Sequence, residues 1–287
     1  MVLIDERAVV GGSSMPVALD PPALVASHQL EQTIRYTYSE PVTDLHQRLI
    51  VVPPAEHGAQ RRIEWSLEVR GVEEHRIRTR CDRWSNLVID VRVPRVEAEV
   101  SFVVDARTAL VDTALAPVRS TGRYLSPTPL TAAGDAIIEL ARHLDGRSPE
   151  QISAAVHGAM RYEFGVTDIW TTASEALELG RGVCQDYSHL MLAICRALGV
   201  QARYVSGHLA GEGGSHAWVE VLVPRADGTT VVEAWDPTHD RRADERYLTI
   251  ATGRDYTDVA PLSGSFENDE ATSTLTVSKR LKDLYRG

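Results

Sequence analysis

Three side chains of the kind that cooperate in nucleophilic catalysis fall on consecutive stretches of this chain: Cys184 in "GRGVCQDYSHL", His216 in "GGSHAWVEV" and Asp236 in "EAWDPT". A sulfur nucleophile works as the thiolate. Free cysteine has a pKa of about 8.5, and a helix N-terminus or a nearby imidazolium lowers it by several units. Cys184 follows Gly180 and Gly182, which suit a tight turn, and opens a helical pattern. In that pattern Leu190, Leu192, Ile194 and Leu198 point to a core and Gly199 ends the helix. The N–H groups of the first turn would then favour a thiolate and, later, an oxyanion. His216 stands at the mouth of a strand after a glycine-rich loop and is the candidate base. Asp236 ends the next strand, just before Pro237, and is the candidate orienter of the imidazole. The order nucleophile, base, orienter is that of a catalytic triad.

Neighbouring residues invite rival readings. Cys195 lies eleven positions after Cys184, which puts the two on one helix face but about 16 Å apart along the axis. A disulfide needs Cα atoms within about 7 Å, so Cys195 reads as core. Cys184, His189, His208, His216 and His239 supply metal-ligand chemistry in principle, but their spacing is neither that of a structural zinc site nor HExxH, so no metal and no cofactor are expected. Asp186 falls in the first helical turn, where a carboxylate interacts favourably with the helix dipole; it is expected to point away from the thiol. Trp170, Tyr162 and Trp218 are candidates for lining a substrate cleft, and Trp170 or Tyr162 for a second oxyanion donor. Trp235 is a further cleft candidate, and as isolated aromatics all four are more often core.

The triad sets a geometric condition. Opposed residues of an antiparallel pair have numbers of constant sum, and directly opposed side chains share a face. For His216 to oppose Asp236 that sum is 452, which makes "PRADG" a five-residue loop. Asp227-Gly228 signals instead a two-residue hairpin turn, with a sum of 455 and Asp236 on the far face. The catalytic reading requires an odd number of loop residues, three or five, unless a bulge restores the register.

These residues sit in the second half of an organised chain. Residues 1–25 hold Gly-Gly-Ser-Ser and Pro21-Pro22 with little periodicity and read as a flexible arm. Residues 26–120 alternate: "TIRYTYS" places Ile34, Tyr36 and Tyr38 on one face, and "RIEWSLEV" places Ile63, Trp65, Leu67 and Val69 on another. This is a β-rich, sandwich-like domain, in which Cys81 reads as a small apolar filler. Residues 121–147, with "YLSPTPLTAAGD", read as a linker and first helix. Residues 148–287 carry helical patterns, then the strands "ARYVSGHL", "HAWVEVLVP" and "TTVVEAWDP", and a final alternating "TLTVSKRL" that suggests an edge strand. Ser148, Pro149 and Gln151 make a capping box with proline at the first helical position. The fold class is therefore α+β.

Composition narrows the function. The 287 residues carry a formal net charge of −10, which argues against a broad grip on nucleic acid or an anionic membrane. No apolar run approaches the roughly 20 residues that span a bilayer. The start, "MVLIDERAVVGG", has an acidic pair and no basic n-region and does not read as a secretory signal, and three cysteines without CxxC spacing make no disulfide framework, so a reducing cytoplasm is the expected compartment.

With these residues in view, "GRGVCQDYSHLMLAICRALGVQARYVSGHL", "GGSHAWVEVLVP" and "VVEAWDPTH" closely resemble the bacterial transglutaminase-like family, a branch of the papain-like cysteine enzymes. The matching stretch runs from about Ser148 to Leu262 and includes "GRDYTDVAPLSGSF". "HQLEQTIRYTYSEPV" resembles the N-terminal domain that often precedes this core, although "DRWSN" stands where an Asp-x-x-Gly-Asn turn is expected. The resemblance implies a papain-like core, with the nucleophile's helix packed on an antiparallel sheet, Cys184 as nucleophile, His216 as base and Asp236 as orienter. The chemistry implied is thiolate attack on a peptide or glutamine-type amide, giving an acyl-thioester that passes to water or to an amine. Hydrolysis of a protein or peptide substrate is the favoured expectation, because a free cytosolic cross-linker would be hazardous. The rival class is an inactive binding or scaffold module, against which the intact Cys, His and Asp speak.

Overall fold

The computed structural model describes residues 23–112 and 122–286. Most of the expected 1–25 arm, and the join near residue 120, lie outside them. The chain divides into two compact units. One holds the chain up to Thr113 together with Ala210–Gly214 and Pro261–Gly287; the other holds Ala114–Leu209 and Ser215–Ala260.

The first unit is built from strands β1 (Leu24–Tyr38), β2 (Val42–Leu49), β3 (Glu56–His57), β4 (Gln60–Arg70), β5 (Arg76–Cys81), β6 (Leu87–Val96) and β7 (Glu99–Val111). The alternation seen in the sequence is what buries one face of each strand: Ile34, Leu45, Leu67, Ile89, Val91 and Phe102, drawn from two sheets, share one core. Ile63 departs from the expected face. The β4–β7 ladder shifts register between Arg62 and Glu64, and Ile63 is left exposed while Trp65 and Leu67 turn inward. Cys81 also departs: it ends edge strand β5 and is exposed, so it fills no core. The "DRWSN" turn closes without its glycine. Asp82 Oδ1 accepts the N–H groups of Trp84 and Asn86, Asn86 Nδ2 donates to Asp82 Oδ2, and Ser85 takes the left-handed conformation at φ 69°.

The second unit contains α1 (Asp135–His143), α2 (Pro149–Ala159), β8 (Arg161–Tyr162), α3 (Ala173–Leu179), β9 (Arg181–Gly182) and α4 (Cys184–Ala197). These are followed by β10 (Ala202–Leu209), β11 (His216–Pro224), β12 (Thr230–Asp236), β13 (Arg241–Arg242), β14 (Tyr247–Gly253) and α5 (Tyr256–Val259). The capping box at the start of α2 is formed, with Gln151 N–H donating to Ser148 Oγ and Ser148 N–H to Gln151 Oε1. The segment before α1 is more than a linker. Tyr124, Leu130 and Thr131 in it are buried, and Arg196 donates from Nε to the Tyr124 carbonyl and from Nη1 to Thr131 Oγ1.

Helix α4 is buried from Gln185 to Arg196, as expected of a helix packed on all sides. Helices α1, α2 and α3 cover it, and β10 and β11 support it. It closes in a Schellman arrangement, with Gly199 N–H donating to the Arg196 carbonyl and Val200 N–H to that of Cys195. Cys195 is wholly buried, and burial pushes its thiol up to about 12. The sheet beneath has the order β13-β12-β11-β10-β14, all antiparallel.

The expected 148–287 core needs one correction. From Pro261 the chain rejoins the first unit, where β15 (Leu262–Glu267) pairs with β2 and β16 (Ser273–Arg286) pairs with β1. The strand signalled by "TLTVSKRL" exists and is an edge strand, but of the β16-β1-β7-β4-β3 sheet. Its partner β1 runs in one register with it from His28↔Asp283 to Tyr38↔Ser273, so the long alternating match lies in that sheet rather than beside the helices. None of the described helices is long and apolar enough to cross a membrane.

Candidate active site

Cys184 is the first residue of α4 and is partly exposed. Two features fix the helix start. Val183 holds an extended conformation, and Asp186 reaches back so that its Oδ2 accepts the Val183 N–H at 2.7 Å, one half of a capping box. Asp186 is fully buried, and its Oδ2 also accepts the Thr167 hydroxyl at 2.7 Å. Burial pushes its carboxyl above the usual range, against the pull of these hydrogen bonds. The carboxylate thus points back along the turn, onto Val183 and Thr167. Gly182 makes room for it: a Cβ there would lie 2.4 Å from Asp186 Oδ2.

His216 opens β11 opposite Gly207 of β10, and Asp236 closes β12. The β11–β12 register has a constant sum of 454, from Val219↔Trp235 to Pro224↔Thr230. The expected sum of 452 is therefore off by two residues, but the parity is the required one. One step further along this register sets Asp236 opposite Trp218, on the same face as His216 and diagonal to it. The hairpin loop shows how the Asp-Gly signal is reconciled with this. Arg225 N–H donates to the Thr229 carbonyl and Gly228 N–H to that of Arg225, enclosing three residues, Ala226, Asp227 and Gly228. Gly228 has φ 80°, the left-handed position that closes a three-residue hairpin with a bulge. The loop is odd, as the catalytic reading required.

Across that diagonal, His216 Nε2 lies 2.7 Å from Asp236 Oδ2, both groups being buried. The Cys184 side chain also hydrogen-bonds this imidazole. Burial works against a charged imidazole, but Asp236 and Cys184, through hydrogen bonds and charge, outweigh it and lift His216 to about 10. Burial likewise opposes the Asp236 carboxylate, and the donors around it win, holding it far below the usual range.

The sequence reading missed most of those donors. His239 Nδ1 donates to Asp236 Oδ2 at 2.8 Å, and the Tyr247 hydroxyl donates to the same oxygen at 2.7 Å. Asp236 Oδ1 accepts the backbone N–H of Thr238 at 2.9 Å and of His239 at 3.3 Å, an Asx turn. His157 of α2 donates from Nδ1 to the Thr238 carbonyl at 3.1 Å and so steadies that turn. The "DPTH" spacing was the signal for His239, three residues after Asp236; nothing local marks Tyr247, which arrives from β14.

Trp218 does not line a cleft. It is 1% exposed and packs with Val205, Leu209 and Tyr247 on the His216 face, its ring stacked near the imidazole at 6.2 Å between centroids. Its place on β11 two residues after His216 puts it under the site. Tyr162 and Trp170 are exposed, at 56% and 65%. His189 lies in the core, its Nε2 accepting the Tyr256 N–H, and burial lowers it to about 4.

The chain is similar to several known proteins. Residues 139–234 match the family described as the transglutaminase-like superfamily, and residues 28–108 match the bacterial transglutaminase-like N-terminal region. An uncharacterized protein of Mycobacterium leprae is 30% identical over 220 residues, covering 67% of this chain and 76% of its own. An uncharacterized protein of Mycobacterium bovis is 36% identical over 138 residues, 44% of each chain. The crystal structure titled "Putative Cysteine Protease" from Cytophaga hutchinsonii superposes with a TM-score of 0.73 at 21% identity, over 92% of this chain and 93% of that one, a likeness of fold.

Proposed function

The chain belongs to the transglutaminase-like superfamily, with the bacterial transglutaminase-like N-terminal region ahead of the core, and we propose that it is a cysteine-dependent acyl-transfer enzyme acting on amides. The observation that carries this reading is a single imidazole, His216, hydrogen-bonded to Asp236 at 2.7 Å and to the side chain of Cys184 at a helix N-terminus. A cation held beside a sulfur at such a place is the environment that generates a thiolate.

In this reading the Cys184 sulfur attacks an amide carbonyl and the oxygen becomes an oxyanion. The N–H groups of Asp186 and Tyr187 donate to the Val183 carbonyl, so the donors for it in this reading are the N–H groups of Cys184 and Gln185, at the open end of α4. Collapse breaks the C–N bond, His216 gives its proton to the leaving amine, and an acyl-thioester remains. His216 then takes a proton from the incoming water, or from an amine, as that group attacks the thioester and releases the thiol. Asp236 keeps the imidazole oriented and its charge balanced through both steps. Hydrolysis of a peptide bond is the favoured outcome, and transfer to an amine uses the same thioester.

The test is mass spectrometry of products from a peptide library, with and without a primary amine. Cleaved peptides in both conditions are expected. Amine adducts in place of cleavage would make the protein a transferase, and no products with an unmodified Cys184 would overturn the enzymatic reading.

A further inference from the structure

Among the described residues of the second unit, six large apolar side chains are exposed: Leu125, Tyr162, Phe164, Ile169, Trp170 and Leu179. Four of the six fall within residues 162–170. Phe164 is 87% exposed and Trp170 65%. A cluster of bulky apolar groups held in water is unfavourable, and on a folded protein it marks a place where something binds.

This segment is fastened to the turn that carries Cys184. Tyr162 pairs with Gly182 in the parallel β8–β9 ladder, and Glu163 N–H donates to the Gly182 carbonyl at 2.9 Å. Thr167 donates to Asp186 Oδ2, and Gln185, next to Cys184, donates from Nε2 to the Asp168 carbonyl at 3.4 Å. Asp168 in turn fixes the local bend by accepting the Trp170 N–H at 2.8 Å. The apolar strip is thus set at a fixed place beside the sulfur. Both charged residues of the segment are already engaged: Glu163 is bound by Arg161 at 2.7 Å and by Arg181 at 3.2 Å, and Asp168 Oδ1 accepts the Trp170 N–H and the Thr171 hydroxyl. Selection here rests on apolar contact and shape.

We propose that residues 162–170 form a substrate subsite that takes a peptide carrying a bulky apolar side chain next to the reacting amide. The proposal rests on Cys184 being the nucleophile. Phe164 and Trp170 supply the contact surface, and the hydrogen bonds from Thr167 and Gln185 keep that surface in register with the thiol. A pocket contact of this kind discriminates by binding the preferred side chain in the transition state, so the selectivity is read in the rate of reaction at the sulfur.

The experiment compares two peptidyl acyloxymethyl ketones that differ only in a phenylalanine or an aspartate beside the reactive carbon. The sulfur displaces the carboxylate in both and forms a thioether. Iodoacetamide, which has no side chain, gives the reference rate at Cys184 for each protein. Relative to that reference, the phenylalanine reagent is expected to react roughly tenfold or more faster than the aspartate reagent. In the Phe164→Ser, Trp170→Ser double variant the two are expected to react at similar rates. Equal rates in the wild type, or a preference that survives the double substitution, overturn the subsite while leaving the nucleophile in place. A Cys184 that reacts with none of the three reagents overturns the nucleophile reading and the subsite with it. Sedimentation completes the test: a dimer that the double variant dissociates, with the preference unchanged, assigns the strip to a second copy of the chain.

Discussion

His216 and Asp236 stand on neighbouring strands two positions off direct opposition, and their side chains meet along the diagonal at 2.7 Å. The offset places Asp236 at the end of its strand, where the following turn can turn its own N–H groups onto the carboxylate. An asparagine in that place offers His216 one neutral oxygen and presents an amide to the donors His239 and Tyr247. Asp236→Asn is expected to lower kcat/KM by about 10⁴, as loss of the orienting carboxylate does in the triad template. Steady-state kinetics on a cleaved peptide check this; a wild-type rate reduces Asp236 to a turn residue.

The His216–Asp236 pair also sets a pH dependence. His216 is lifted from 6.5 to about 10 in the folded protein. The folded state therefore binds this proton more tightly than the unfolded chain. Its contribution to stability is full below about pH 6.5 and is lost as the pH rises through about 10. Asp236, held below its ordinary 3.8, contributes above that value and loses the contribution as the pH falls toward its folded value. Thermal unfolding of wild type and His216→Gln at about pH 6, 8 and 10 tests the first part. The wild-type advantage is expected to shrink as the pH rises; an advantage that is constant or grows contradicts it.

Gly182→Ala bears on the nucleophile without touching it. The new Cβ would meet the Asp186 carboxylate at 2.4 Å and drive it off the Val183 N–H. Loss of a helix-start hydrogen bond of this kind costs about 1–2 kcal/mol. Because Cys184 is the next residue after Val183, kcat/KM should fall together with stability. Denaturant unfolding and kinetics on the same variant check both, and an unchanged rate would show that the helix start tolerates the shift.

Ser85→Gly is expected to stabilise the first unit. Ser85 occupies a left-handed conformation at φ 69° in a turn that Asp82 and Asn86 already close. A side chain there costs about 1 kcal/mol, which glycine removes. A raised denaturant midpoint for the unfolding of that unit is the measurement, and a lowered one would mean the serine side chain contributes more than its strain costs.

Much of this was legible in the sequence, for reasons that differ by element. Strands β10 and β11 were readable to the residue because apolar alternation is interrupted by glycine or proline at both ends. The capping box at Ser148 and the glycine after α4 marked helix ends through local hydrogen bonding. The register of the hairpin was half legible: its parity followed from requiring His216 and Asp236 on one face, but the shift of two residues depends on the bulged turn at Gly228, where a two-residue Asp-Gly turn was the simpler local signal. What stayed hidden depends on distant chain. Tyr247 reaches Asp236 only because β14 joins the sheet beside β10, and Trp218 is buried by packing from β10 and β14 rather than by anything in its own strand. The last strand was visible as a pattern, but its partner β1 lies more than 230 residues earlier.

The central claim is that His216 makes Cys184 a nucleophile, and the chain carries its own control. Cys81 is exposed on an edge strand of the other unit, while Cys195 is buried in the core. The decisive measurement is the rate of alkylation of each cysteine by iodoacetamide at about pH 6, followed by peptide mass spectrometry, in wild type and His216→Ala. Cys184 is expected to react roughly tenfold or more faster than Cys81 in the wild type and to fall to the Cys81 rate in the variant, with Cys195 unmodified in both. A Cys184 that reacts no faster than Cys81, or whose rate is indifferent to the loss of His216, would contradict the account.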